Sequence, residues 1–290
     1  VLVTTRRFSL IAIATSIGLA VAASFSTARA EDFAGDVPDL VWIDAGWSRN
    51  DISTAVSFVG ENGIGATIDF EEIFDMNANR STARMFGTAR ISPKRRHIDF
   101  GYVDISRSGT SVLDRDIEFG DYQINAGANV TAKFDTAFIY AAFRYDFLHL
   151  EQVRISGSAG LTWLNLATGL SGSGNYTDPD GVVVVGGTFD RESSVGAPVP
   201  MLGINLDWAL TRRLVLRTYS RFFRINLDSF SGGLNESGIR LNWYFAKHFG
   251  LGLGYDRTDL RLKELDMGDG ETVKANYDFA GAGLYLNLAF

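Results

Sequence analysis

Over residues 202–210 the side chains alternate without a break: Leu202, Ile204, Leu206, Trp208 and Leu210 are large and apolar, while Gly203, Asn205, Asp207 and Ala209 are small or polar. A period of two is the signature of a β-strand with one apolar face. The pattern returns in Ile239, Leu241, Trp243 and Phe245, in Phe249, Leu251, Leu253 and Tyr255, in Ile98, Phe100 and Tyr102, and in Val153, Ile155, Ala159, Leu161 and Trp163. After the N-terminal region no stretch approaches 18 continuous apolar residues, which rules out a helical membrane protein. The chain must therefore be built mainly from strands. Its 31 glycines, five prolines and 12% aromatic content suit many strands and turns.

A soluble sandwich would alternate too, so the turns and the polar faces decide. Residues 92–95, 148–152, 211–213 and 246–248 form tight connections, whereas 60–78, 109–127, 171–196 and 264–272 read as long hydrophilic loops; only the brief 228–233 link departs from the rule. Short turns alternating with long loops are the habit of a membrane barrel, with the short turns periplasmic. The face opposite the apolar rows carries Arg84, Arg90, Asp99, Arg144, Arg154, Asp207, Arg217, Arg221, Arg240 and Asp256. In a barrel these fill a polar lumen and pair with one another. Ten strands are expected, near 40–58, 80–91, 95–107, 130–146, 152–168, 198–209, 213–227, 235–245, 248–262 and 273–290. Eight or twelve stay open, because Asn50, Asp51 and Ser53 interrupt the first. Residues 64–76 either prolong the first hairpin or fold over its mouth.

The N-terminus carries its own signal. Arg6 and Arg7 precede an apolar run from Phe8 to Phe25, and Ala28-Arg29-Ala30 stands before Glu31. That is the layout of a cleavable export signal, here residues 1–30. The core from Leu10 to Ala23 is too short for a spanning helix. Residues 31–39 then form a periplasmic segment and 40–290 the transmembrane antiparallel up-and-down barrel, with both termini periplasmic. Removing 1–30 leaves 24 basic against 34 acidic side chains, a net charge of −10, which gives nucleic-acid binding little electrostatic support. With no cysteine, disulfides, thiol nucleophiles and cysteine-bound metals are excluded.

The last strand narrows the reading further. Leu284, Leu286, Leu288 and the terminal Phe290 alternate with Gly283, Tyr285, Asn287 and Ala289. This resembles the C-terminal signature by which the barrel-assembly machinery recognises outer-membrane barrels. The mature chain as a whole resembles the small proteobacterial outer-membrane barrels grouped with OmpA-like and OmpW-like proteins. The phrases Arg95-Arg96-His97-Ile98-Asp99-Phe100 and Gly252-Leu253-Gly254-Tyr255 are similar to one branch of that group. The resemblance implies fold and place, and carries over no catalytic or ligand residue.

Candidate sites are few. His97, His149 and His248 all fall at or beside short turns, away from the outer face where a lipid hydrolase would need a histidine with a serine and a carboxylate. A protease at the outer mouth would have its carboxylates there but no histidine. Gly250, Gly252 and Gly254 lack the following helix of a phosphate loop and read as small inner-face residues making room for bulky lumen neighbours. The long loops are acidic: Glu61, Asp69, Glu71, Glu72 and Asp75; Asp114, Asp116, Glu118 and Asp121; Asp266, Asp269 and Glu271. Solvated loops explain them, and a rim that meets lipopolysaccharide through calcium or magnesium is the functional alternative. Neither a cofactor nor a resident metal is expected. The expected function is non-enzymatic, structural or surface-interacting, with a largely plugged polar lumen. A narrow channel for small solutes comes second and a lipid-modifying enzyme third.

Overall fold

The computed structural model describes residues 38–59, 65–92, 95–119, 122–178, 180–227, 230–266 and 272–290. The export signal over 1–30, the Glu31 start and the loop acids Glu61, Asp121, Asp269 and Glu271 lie outside the described residues. Ten long antiparallel strands form the wall: β1 (Val41–Val59), β3 (Asn79–Arg90), β4 (Arg96–Val112), β7 (Asn129–His149), β8 (Val153–Thr177), β9 (Val183–Thr211), β10 (Leu214–Leu227), β11 (Phe230–Tyr244), β12 (Phe249–Asp266) and β13 (Thr272–Ala289). Each pairs with the next in the chain, and β13 returns to β1 with Trp42 opposite Ala289, so the sheet closes. This is an up-and-down barrel of ten strands. Closure leaves no backbone row to satisfy in hydrocarbon, which is why a sheet can span a bilayer at all.

The described start, at residues 38–41, and Phe290 lie at one end of the barrel, where Leu40 and Val41 donate backbone hydrogen bonds to the Phe290 carbonyl at 2.8 and 3.0 Å. The tight turns lie at this end, which we call the termini end. At the far end stand the longer connections and three short strands, β2 (Gly65–Asp69), β5 (Ile117–Phe119) and β6 (Tyr122–Ile124). The outer surface carries an apolar belt that includes Leu202, Ile204, Leu241, Leu251, Leu253, Leu284 and Leu286, all well exposed. An exposed apolar belt is what hydrocarbon, rather than water, demands. No described helix is long and apolar enough to cross a membrane.

Two stretches depart from the sequence reading. Of residues 171–196, expected as a loop, 171–177 and 183–196 are strand: β8 and β9 continue their ladder far beyond the belt, with Leu170 opposite Arg191 and Ser171 opposite Asp190. Outside the membrane neither face has to be apolar, so the alternation fades while the backbone bonds persist. Of residues 64–76, left between two arrangements, 65–76 take part in both. β2 extends the first hairpin by pairing with β1, and α1 (Phe70–Ile73) turns inward, capped by Asp69, whose side chain accepts from the Glu71 and Glu72 amides at 3.1 and 3.0 Å.

That inward turn makes the lumen two-layered. Phe70 and Phe74 are fully buried, and Phe70 meets Phe134 edge-on at 5.5 Å between ring centroids. Phe134 contacts Tyr277 at 5.4 Å and Phe138 contacts Phe279 at 5.7 Å. The far half of the lumen is therefore an apolar core. The half nearer the termini is the more polar, although the buried Arg107–Glu71 pair stands beside the aromatic core.

Candidate functional site

The polar half is built from inward positions of the alternating strands. Asp256 on β12 is one of its hub carboxylates. It lies 3.3 Å from Arg84 and 2.7 Å from Arg240, and accepts from the Tyr219 and Tyr285 hydroxyls at 2.8 and 2.9 Å. Arg84 also donates to Asn50 Oδ1 at 2.8 Å, and the Arg240 guanidinium lies 3.8 Å from the centroid of the Phe86 ring. Asn50, Arg84, Arg240, Asp256 and Tyr285 are all but sealed from solvent, where removal of one partner would strand a charge.

A second knot is centred on Asp44 of β1, which accepts from Asn287 at 2.8 Å and lies 3.3 Å from Arg217. Arg217 donates to the Tyr244 hydroxyl at 2.9 Å and stacks 3.6 Å over Trp42. Arg144 pairs with Asp207, and Arg221 lies 3.7 Å from Glu236 and 3.7 Å from the Tyr140 ring. Asp99 accepts a hydrogen bond from Thr88 at 2.8 Å. At the very end Asp39 holds Arg90 at 3.0 Å and also Arg154, so the segment before β1 tucks under the barrel.

Of the ten lumen residues singled out from the sequence, the structure joins Arg84 and Arg240 to Asp256 and Arg144 to Asp207, while Asp99 accepts from Thr88 and Arg90 pairs with Asp39. Arg154, Arg217 and Arg221 instead meet Asp39, Asp44 and Glu236. Asp44 and Glu236 were open to discovery by parity, since each shares the inward face of its strand. Asp39 precedes its strand and has no periodicity to betray it. Glu71, read as a solvated loop acid, pairs with buried Arg107 and accepts from the Thr54 amide at 2.8 Å. The ion pair latches the inward-turned segment to the wall.

The glycines of β12 have the role expected of them. A Cβ on Gly252 would lie 2.5 Å from Asn242 Oδ1, and one on Gly254 would lie 2.8 Å from Arg240 Cγ. Close packing of the network leaves a cavity of only about 50 Å³ among Asp44, Asp99, Arg144, Asp207 and Arg217. That is room for a few water molecules.

Two other groupings bring residue types used in catalysis together. His97 lies 2.9 Å and His149 3.1 Å from Asp146, while Ser156 donates to the same carboxylate at 2.7 Å. Asp146 is thus the hub, and the serine bonds to the carboxylate rather than to an imidazole, unlike a nucleophile and its base. Beyond the belt, Asp259 and Asp278 stand opposite each other on the outer surface of β12 and β13. Arg257, 2.8 Å from Asp259, pulls that carboxyl down, while burial and the neighbouring Asp259 push Asp278 up. This pair faces away from the lumen. Leu284, Leu286, Leu288 and Phe290 project outward on β13, the first two and Phe290 exposed.

No family model matches the chain, and no curated protein matches it. Among solved structures, the outer membrane protease OmpT from Escherichia coli aligns with a TM-score of 0.58 at 10% identity, over 87% of this chain and 97% of that one. The P. putida toluene transporter TodX aligns at 0.37 and 10% identity, over 90% and 93%. OprG from Pseudomonas aeruginosa aligns at 0.36 and 7% identity, over 88% and 97%. The likeness to OmpT shows the fold alone, and the fold is that of an outer-membrane β-barrel.

Proposed function

We propose that this transmembrane outer-membrane β-barrel is a non-enzymatic, structural component of its membrane, with a lumen closed to solutes and both termini in the periplasm. The observation that carries the reading is the filled cross-section: buried ion pairs leave about 50 Å³ in the polar half, and an aromatic core stands over it. A barrel of about this strand number can be largely filled across its section by its own side chains. The proposed orientation is supported by the tight turns at the termini end and by the two long connections, after β1 and after β4, at the other. The non-enzymatic reading is supported by the wiring of the His97–Asp146–Ser156 group and by the outward direction of Asp259 and Asp278. The partners proposed are the lipid around the belt, lipopolysaccharide at the far end, and the assembly machinery that reads the last strand.

Single-channel recording of the folded protein in a planar bilayer tests this directly. The expected trace shows no stable open level. A persistent open channel in the unmodified protein overturns the closed-lumen reading and favours the narrow channel instead.

A further inference from the structure

Among the described residues the wall is incomplete between β9 and β10. β9 pairs with β10 from Thr211 opposite Leu214 to Leu202 opposite Phe222 and no further, although β9 reaches back to Val183 and β10 runs on to Leu227. The sequence contains the reason. Ala209 donates its amide to Gln152 on the β8 side at 2.8 Å, and because amide direction alternates along a strand, the even-numbered residues of β9 face β10. Going away from the turn, that series runs Trp208, Leu206, Ile204 and Leu202, each opposite a β10 residue. The next two are Pro200 and Pro198, which have no amide hydrogen to give. The ladder stops where proline cannot continue it.

Behind this slot lies a cavity of about 410 Å³, within the range that holds small molecules. Leu164, Val199, Phe223, Leu234 and Leu260 line it from the inward faces of five strands. Pro198 and Pro200 line it as well, yet both belong to the outward-facing series of β9 and are exposed. A cavity bounded by inward and outward residues of the same strand passes through the wall. It opens sideways, toward the surroundings of the barrel.

The height of the opening indicates what those surroundings are. Leu202 and Phe222 are exposed belt residues at its lower end, and the next outward residue of β10 is the exposed Arg224. The slot thus stands where the apolar belt gives way to polar surface, the level at which a lipid headgroup joins its chains. Arg224 makes no ion pair among the described residues. An apolar cavity offers water few partners, so hydrocarbon suits it better.

We propose that the slot between β9 and β10 admits an acyl chain of an anionic membrane lipid, with the chain in the cavity and the headgroup phosphate beside Arg224. A chain leaving the bilayer for this cavity exchanges one apolar setting for another, so hydrophobicity alone gives no preference. Selection rests on the fit of the chain and on the charge at the rim.

The full chain, folded into phosphatidylcholine vesicles, is tested with phosphatidylglycerol bearing a photoreactive diazirine at the end of one acyl chain. Adducts are mapped by mass spectrometry after irradiation. The expected result is labelling of Leu234 and Leu260 severalfold above inward Asn242, falling severalfold in Leu234→Trp, which fills the cavity, and in Pro198→Thr/Pro200→Thr, which restores the missing donors. Arg224→Gln lowers labelling by this lipid more than by the matching phosphatidylcholine. Heat-modifiable mobility on gels reports folding of every variant, and Leu260→Phe replaces Leu234→Trp if the latter does not fold. Adducts confined to outward residues such as Ile204 and Leu251 overturn the proposal, as does labelling that ignores a filled cavity. Labelling by a headgroup-free diazirine hydrocarbon but not by the phospholipid also overturns it, and identifies the occupant as a free apolar solute. The closed-lumen reading stands or falls on conductance, independently of these outcomes.

Discussion

The imidazole of His248 stacks on the ring of the terminal Phe290, with 5.9 Å between centroids and 27° between planes, while its Nδ1 donates to the Ala289 carbonyl at 2.7 Å. A turn residue and the chain's last residue are thereby fixed to each other, where β13 closes against β1 and β12. Deleting Phe290, or replacing it with Asp, is expected to slow assembly more than a charge added in the 178–182 turn. Pulse-chase samples run unheated on gels, where folded barrels migrate faster, check this. Equal folding of the two variants would count against an assembly role for the last strand.

Asp256 balances two buried arginines and two tyrosine hydroxyls. Asp256→Ala leaves Arg84 and Arg240 facing each other without a counter-charge, so the expected loss is about 3–5 kcal/mol. Urea titration of the barrel in vesicles measures it. Adding Arg84→Met and Arg240→Met to that change should recover much of the loss, because the stranded charges are then gone.

Belt positions tolerate charge poorly. Leu206→Arg on β9 is expected to cost about 2–4 kcal/mol if its place is near the bilayer midplane, and less nearer either interface. The same titration checks it. An arginine at 206 that costs nothing would show that the two faces of β9 had been exchanged.

Gly238 leaves room for its neighbours on the two flanking strands. A Cβ there would stand 2.3 Å from Asp256 Oδ1 and 2.5 Å from Tyr219 Cε1, so both must move to admit it. Gly238→Val is expected to destabilise by about 1–3 kcal/mol through overpacking. Gly181, with nothing within 4 Å of such a Cβ but with a positive φ of 75°, should show strain alone and a smaller effect.

The parity of the strands made much of this fold legible. Wherever a belt row exists, as in Leu202 to Leu210, it assigns the opposite face to the lumen, and the inward places of Arg240 and Asp256 follow. What parity cannot give is the partner across the barrel. Arg217 and Asp44 are 173 residues apart, and their meeting depends on closure and register rather than on any local pattern. Nor could the two-layered lumen be read, because Phe70 and Phe74 lie in a short helical turn surrounded by acids. The long hairpin of β8 and β9 was hidden for the opposite reason: its glycine-rich and serine-rich stretch has no apolar face to mark it.

Past Leu202, the part of β9 from Val183 to Pro200 spans about 60 Å at ~3.4 Å per residue, bonded to β8 on one side and to no described strand on the other. Such a free margin is a template onto which a strand from another molecule can add. Its composition resists that. Pro198 and Pro200 withhold donors along the stretch nearest the membrane, and the exposed Asp190 and Glu192 farther along bring charge to any intruding strand. The same prolines that interrupt the wall therefore also guard the barrel against growing, strand by strand, into its neighbours.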